Sequence, residues 1–221
     1  MSNDSKGIYL VGGFGKNRLI LDTVDYLCLE TLKLTSLPPL PIQMYSPAVC
    51  CFRGQLFVIK SQIFVYDTTL KLWSKIDNVT LPKHMEFNRA LVHENYIYLT
   101  GNHAYELYRL NPDDINRNRD ENVRIADESL PDISQKPPVQ PSKAEDKPAL
   151  EFLGKFANEA QNVCVVANTI YNFSTDQFEY NSVIETYNLE TRKFNVVWEK
   201  ETHQFDFSPY YSSGCFPLII Y

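Results

Sequence analysis

Residues 48–73, AVCCFRGQLFVIKSQIFVYDTTLKLW, decide the fold of this chain. They contain three short apolar runs, at 48–52, 56–59 and 63–66, and a fourth that begins at Leu72. Runs this short, with turn residues between them, predict strands joined by tight turns, because a helix needs a longer uninterrupted period. The stretch therefore predicts a four-stranded antiparallel sheet, which cannot bury both of its faces alone.

The second strand of this unit is repeated along the chain. Its copies begin at Ile8, Leu56, Ile97 and Ile170. The first two steps are close to the period of roughly 40–50 residues that is typical of propeller repeats, and the last step is longer. The chain therefore contains about four copies of one sheet motif.

The third strand and the turn after it are repeated as well. Their copies begin at Leu27, Tyr66, Tyr108 and Tyr187. In three copies a large apolar residue follows seven positions later, and these residues are Leu34, Trp73 and Phe194. A repeat of this length with four strands per unit is typical of the blades of a β-propeller.

Three features together resemble the kelch repeat. They are the Gly12-Gly13 pair that closes an apolar strand, Tyr66-Asp67 with Trp73, and Tyr187-Asn188 with Phe194. The resemblance covers about residues 7–198, apart from one insertion. It implies an all-β fold, a kelch-type β-propeller that is partial or small, with about four blades of four antiparallel strands over residues 1–221. Two alternatives stay open, a fragment of a longer propeller and a small or open array.

An insertion explains the long third step. A polar segment at 113–121 leads to an expected outer strand near Val123 to Ala126, and residues 130–150 are rich in proline and polar side chains. Such a composition predicts a disordered or extended insertion. The tail at 210–220 resembles a first strand, whereas the chain begins with a second strand. This order of strands would allow the two ends of the chain to pair in one sheet.

Composition argues against several classes of partner and chemistry. A net charge of −6 argues against a nucleic-acid backbone or an anionic membrane as the main partner. The sequence shows no signal peptide and no membrane span, which predicts a cytoplasmic protein. The five cysteines are scattered and the four histidines lack the spacing of a metal site. We therefore predict no catalytic residues, no metal and no cofactor.

The loops on one rim of a propeller are free to carry recognition while the sheets stay rigid. Tyr, Arg, Asn and Ser suit peptide capture, because they supply aromatic area, a guanidinium fork and adaptable hydrogen bonds. We therefore predict a partner-binding rim, with Arg89 and Tyr45 as its leading residues. The connections inside the sheets contribute Asn17, Arg18, Lys60, Gln62, Asn102 and His103, and the crossings between sheets contribute Tyr45, Ser46, Phe87, Asn88, Arg89, Tyr211 and Ser212.

The kelch resemblance also implies a function. It implies a module that binds a protein or peptide partner, as the substrate-recognition part of a cullin-RING ubiquitin ligase adaptor. In that family the cullin is reached through BTB and BACK domains, which these 221 residues do not contain. The alternatives are a kelch protein that binds actin or the cytoskeleton, a truncated viral kelch protein, and, most distantly, an enzyme like the copper-radical oxidases.

Overall fold

The computed structural model describes residues 7–101, 104–115, 149–175 and 182–200, and in these residues the chain is all-β. The strands form four antiparallel sheets, and each sheet is built from strands that follow one another in the sequence. Short helical turns occur at Lys16–Arg18 and at 112–115. No helix among the described residues is long and apolar enough to cross a membrane.

The strand bounds are as follows. The first sheet contains β1 (Gly7–Val11), β2 (Val24–Cys28) and β3 (Leu34–Leu37). The second contains β4 (Ala48–Phe52), β5 (Gln55–Ile59), β6 (Ile63–Asp67) and β7 (Leu72–Ile76). The third contains β8 (Phe87–His93), β9 (Tyr96–Gly101), β10 (Glu106–Leu110) and β11 (Leu150–Lys155). The fourth contains β12 (Asn162–Val166), β13 (Thr169–Thr175), β14 (Ser182–Asn188) and β15 (Lys193–Lys200).

The predicted repeat is confirmed by the sheet topology. The four copies of the second strand are β1, β5, β9 and β13, and each lies in a sheet of its own. The spacing of seven residues also has a direct structural meaning, because it joins cross-strand partners. These partners are Leu27 and Leu34, Tyr66 and Trp73, and Tyr187 and Phe194.

The hairpin turns that set this spacing are capped by side chains. The Asp67 carboxylate accepts hydrogen bonds from the backbone N–H groups of Thr69 and Leu70, at 2.9 Å each. In the fourth sheet the Asn188 side-chain carbonyl accepts the equivalent bonds from Glu190 and Thr191. Asp and Asn form such turns readily, because their short side chains reach the backbone two or three residues further on.

The outer strand of the third sheet differs from the prediction. Leu150–Lys155 pairs with β10, so the predicted strand near 123–126 does not occupy that position. The backbone N–H of Asn111 donates to the carbonyl of Ala149 at 2.9 Å, which brings the chain back beside β10. The end of the predicted insertion at 150 is therefore part of a strand, while 130–148 and the tail at 210–220 lie outside the described residues.

Neighbouring sheets pack through three apolar seams. Because side chains alternate along a strand, Leu56 and Val58 of β5 pack against the first sheet, whereas Phe57 and Ile59 pack against the third. The third seam joins the third and fourth sheets around Tyr98, Leu107, Ile170 and Tyr187. Among the described residues nothing packs on the outer faces of the first and fourth sheets, where Ile8, Leu10 and Phe173 are exposed.

The two ends of the sheets differ in their connections. At one end, here called the turn end, two-residue turns join the first and second strands, as at Arg53-Gly54, where both residues have positive φ. The guanidinium of Arg53 donates to Asn95 in the next turn at 2.7 Å, and His93 is hydrogen-bonded to Asn168 in the turn after that. At the opposite end, here called the loop end, lie the loops between second and third strands and the crossings between sheets.

Candidate binding surface at the loop end

The loop after β1 is held against the first crossing. Gly12 has φ +59, and a Cβ at this position would lie 2.2 Å from the Met44 carbonyl oxygen, so only glycine fits. Gly13 N–H donates to the same carbonyl at 2.8 Å, and Met44 N–H donates to Leu21 O at 3.0 Å. These bonds place Phe14, from the first sheet, beside Tyr45, from the crossing to the second.

Phe14 and Tyr45 form an exposed aromatic pair, here called the aromatic ledge. Their ring centroids are 5.2 Å apart with an interplanar angle of 26°. Phe14 is 61% exposed and Tyr45 is 39% exposed. A stacked pair of large rings in water offers apolar area that a partner can cover, and the stacking itself keeps the rings in place.

Lys60 supports the ledge from beneath. Its side chain is buried, although Lys60 was predicted to contact a partner. The ammonium donates to the Tyr45 carbonyl at 2.8 Å, lies 3.2 Å from the centroid of the Tyr45 ring and pairs with Glu86 at 3.2 Å. Lys60 therefore fixes the position of Tyr45 by a hydrogen bond and a cation–π contact.

An ionic cluster lies at the same end, between the second and third sheets. Glu106, whose side chain is mostly buried, accepts bonds from His84 Nε2 at 2.9 Å, Lys155 Nζ at 3.0 Å and the Tyr108 hydroxyl at 3.2 Å. Burial opposes ionisation of Glu106, but the bonds from His84 and Lys155 outweigh it and lower the pKa of the carboxyl. Burial, together with the charge of Glu106, raises the pKa of Tyr108 to about 12. The cluster thus holds an anionic Glu106 and a neutral Tyr108 at neutral pH.

The structure locates the predicted rim residues unequally. Asn17 and Arg18 are exposed and both have positive φ. Tyr45, Ser46 and Gln62 are also exposed, while Asn88 and Arg89 are half-buried. Asn102, His103, Tyr211 and Ser212 lie outside the described residues.

The structure shows that the prediction of Phe87 as a partner-binding rim residue is wrong. Its side chain is 0% exposed and packs edge-to-face on Tyr108, with ring centroids 5.6 Å apart. The cause is a β-bulge, since Phe87 pairs with Gly101 and Arg89 pairs with Thr100, which leaves Asn88 as the extra residue. Phe87 therefore faces the second sheet as a core residue and cannot touch a partner.

Sequence reasoning missed the aromatic partner of Tyr45 and the acidic residues of this end. Phe14, Glu86 and Glu106 were not among the predicted residues. Phe14 contacts Tyr45 of the first crossing, and Glu86 contacts Lys60 of the second sheet. Glu106 contacts His84 of the crossing that precedes the third sheet. No periodicity within one repeat could have shown these contacts.

The histidines in the described residues do not share a site. His84 contacts Glu106 at the loop end, whereas His93 contacts Asn168 at the turn end. Within residues 7–101, 104–115, 149–175 and 182–200, no group of three or more His, Cys, Asp and Glu side chains is placed to hold a metal ion.

Cys28 and Cys50 carry free thiols. Cys50 packs against the apolar seam between the second and third sheets, and burial raises the pKa of its thiol well above the usual range. Cys51 is exposed on the other face of the same strand.

No protein-family model matches the chain, and no curated protein is significantly similar to it.

Proposed function

We propose that this chain is a kelch-type protein-binding module that holds a segment of a partner protein on the aromatic ledge. The observation that carries the proposal is the exposed stacking of Phe14 on Tyr45 above the buried ammonium of Lys60. Aromatic residues in fixed positions are the usual anchors of protein interfaces, because they bury large area at a small cost in conformational entropy.

The arrangement of the ledge suits a peptide more than a small molecule. Its two rings come from different sheets and lie beside polar side chains that can bind a main chain, including Gln62, Ser46 and the exposed carboxylate of Glu86. An apolar centre with a polar rim is the common anatomy of interfaces between proteins. The ledge therefore offers an anchor for one apolar side chain and hydrogen bonds for the residues around it.

The kelch assignment is supported by the repeated pairs on the third and fourth strands. Tyr66 and Trp73 have ring centroids 5.1 Å apart, and Tyr187 and Phe194 have centroids 4.5 Å apart. On the kelch assignment, the partner is a substrate that is presented to a cullin-RING ubiquitin ligase through domains outside these 221 residues.

Site-specific photo-crosslinking in cells tests the proposal. A photoreactive phenylalanine analogue replaces Tyr45 in one variant and Leu72, which is more exposed but lies at the turn end, in the control. A discrete protein adduct from position 45, absent from position 72, supports the proposal. Adducts of equal yield at both positions, or none at position 45, contradict it. Accumulation of the captured protein when cullin activation is blocked would support the ligase role, and a captured actin would favour the cytoskeletal alternative.

A further inference from the structure

The seam between the third and fourth sheets changes character at the loop end. Further toward the turn end it is apolar, with Tyr98 and Leu91 on the third sheet and Ile170 and Val165 on the fourth. Two to four residues closer to the loop end, four polar side chains lie on the same faces. They are Arg89 and Thr100 on the third sheet, and Asn172 and Ser174 on the fourth.

Strand alternation shows that these four side chains enter the same seam. Arg89 and Thr100 are cross-strand partners, and Thr100 follows Tyr98 on the face that packs against the fourth sheet. Asn172 follows Ile170 on the face that packs against the third sheet, and it pairs with Val163 of that face. First strands begin and second strands end at the loop end, so all four lie at the same end of the seam.

Three of these side chains are buried, Arg89 is half-buried, and each has a polar atom without a partner. Asn172 is 0% exposed, Thr100 is 1% and Ser174 is 5%. Among the described residues, Thr100 Oγ1, Ser174 Oγ, Asn172 Oδ1 and Arg89 Nε have no hydrogen-bond partner. Unpaired buried polar groups are rare in folded proteins because each has lost its hydrogen bonds to water without replacing them.

The orientation of the Asn172 amide is fixed by its neighbours. Its Nδ2 group donates to the Glu159 carbonyl at 3.2 Å and to the Glu185 carboxylate at 3.4 Å. Both neighbours are acceptors, so the amide nitrogen must face them and Oδ1 must face the seam. The free atom of Asn172 is therefore an acceptor that requires a donor.

The opposite side of the seam offers a donor. Arg89 N–H groups donate only to the backbone carbonyl of Asn88, at 3.1 Å, and no carboxylate in the described residues pairs with Arg89. The Thr100 and Ser174 hydroxyls can donate or accept. A ligand that fits this set must present an acceptor toward Arg89 and a donor toward Asn172.

The geometry points to a binding site for a carboxamide, the side chain of Gln or Asn in a partner peptide, in the loop-end part of the seam between Arg89–Thr100 and Asn172–Ser174. A carboxamide carries its C=O acceptor and its NH₂ donor side by side, so one group satisfies both sheets. A carboxylate has no donor for Asn172 Oδ1, and it would lie near the buried carboxylate of Glu185, which already accepts from the backbone N–H groups of Ala157 and Asn158. The inference rests on the proposed function, since it assigns a residue class to the bound segment.

Solution NMR of the complete ¹⁵N-labelled chain tests the site with simple probes. Propionamide and sodium propionate are titrated separately, and the Asn172 side-chain NH₂ and Arg89 Nε–H signals are followed. We expect saturable shifts with propionamide and at least about tenfold weaker binding of propionate, because propionate leaves one buried acceptor unpaired. Thr100→Val keeps the shape of the side chain and removes a hydroxyl, so it should weaken the propionamide response at Arg89.

The outcomes separate this inference from the proposed function. Tighter binding of propionate than of propionamide overturns the carboxamide site, and so does the absence of saturable shifts with both probes, which would mean that the seam holds water alone. Neither result affects crosslinking at Tyr45, on which the proposed function depends. Loss of that crosslinking with an intact propionamide response would leave a carboxamide site without a protein-binding ledge.

Discussion

Tyr108 and Phe152 lie opposite each other on β10 and β11, with ring centroids 5.3 Å apart, although residues 116–148 come between them in the sequence. The pair is the counterpart in the third sheet of Tyr66 and Trp73, whose turn has only a few residues. The register of the third sheet is therefore set by packing and by the strand ladder, not by the length of the connection.

Shortening that connection should preserve the fold. Replacing 119–146 with a short Gly-Ser linker keeps the buried side chain of Ile115 and the return of the chain at Ala149. Each halving of a flexible loop favours the folded state by about 0.6 kcal/mol, so the variant should be as stable as the full chain or about 1 kcal/mol more stable. Chemical denaturation measures this, and loss of a single cooperative transition would contradict it.

Lys71 offers a stabilising substitution in the second-sheet hairpin. It is exposed and has φ +57, and its N–H closes the turn on the Asp67 carbonyl at 2.8 Å. Lys71→Gly should raise the free energy of unfolding by about 1 kcal/mol, because glycine adopts this conformation without strain. Leu70→Gly is the matched control, since Leu70 itself has negative φ, and it should lower stability by about 0.5–1 kcal/mol. A loss of stability in Lys71→Gly would show that the strain is absent.

Phe87 and Phe14 provide a test of which phenylalanine is core and which is surface. Phe87→Ala should destabilise the chain by about 3–5 kcal/mol, because it leaves a cavity against Tyr108. Phe14→Ala should cost less than about 1 kcal/mol, because the ring is mostly in water already. Urea denaturation of the two variants measures both values. Similar losses would contradict the assignment of Phe87 to the core.

Glu106 should contribute to acid sensitivity. Its pKa lies below the ordinary value of 4.5, so its carboxylate stabilises the fold above that value, and the stabilisation is lost as the pH falls through the lowered pKa. The thermal midpoint of Glu106→Gln should therefore fall less than that of the native chain between about pH 6 and about pH 3. Lys155→Met removes one donor and should raise the Glu106 pKa, which carboxyl NMR titration reads directly. Parallel midpoint curves for the native chain and Glu106→Gln would contradict the lowered pKa.

Lys60→Met tests whether Lys60 positions the Tyr45 ring of the aromatic ledge independently of any effect on the stability of the fold. Methionine fills a similar volume, and the ionic partner Glu86 is 57% exposed, so its carboxylate stays in water and is not left buried without a partner. Tyr45 nevertheless loses its cation–π partner and a hydrogen bond to its carbonyl. We expect unfolding to be nearly unchanged and crosslinking from position 45 to decrease. Unchanged crosslinking would show that Lys60 does not position the ring.

The sequence was sufficient to predict the repeat because the repeat is local. The spacing of seven residues between Tyr66 and Trp73 is set by one short turn, and the Asp67 that caps this turn is visible in the sequence. The same spacing marks the equivalent hairpins of the first and fourth sheets. The outer strand of the third sheet could not be predicted this way, because Leu150 follows a long insertion. The kelch family and the propeller architecture stay predictions.

The candidate site was predictable only in part. Tyr45 was identified by its residue type and position, but the inward direction of Phe87 depends on a bulge at Asn88 that no pattern showed. One signal for the polar seam was present in the sequence. Asn172 occupies the position that Leu10, Val58 and Leu99 hold in the other copies, and a polar residue in an apolar column indicates an interior that is not purely hydrophobic.

Each sheet buries its apolar face against the sheet beside it, so the local stability against opening should vary along the chain. Within the part of the chain that the structure describes, the second and third sheets pack against a neighbour on both faces, whereas the first and fourth do so on one face only. Fluctuations that open the structure should therefore start at the first and fourth sheets and reach the middle last, as in repeat proteins whose units contact only their neighbours. The amides of Phe57 and Leu99 will be the slowest to exchange with deuterated solvent, and those of Ile8 and Phe173 will exchange early.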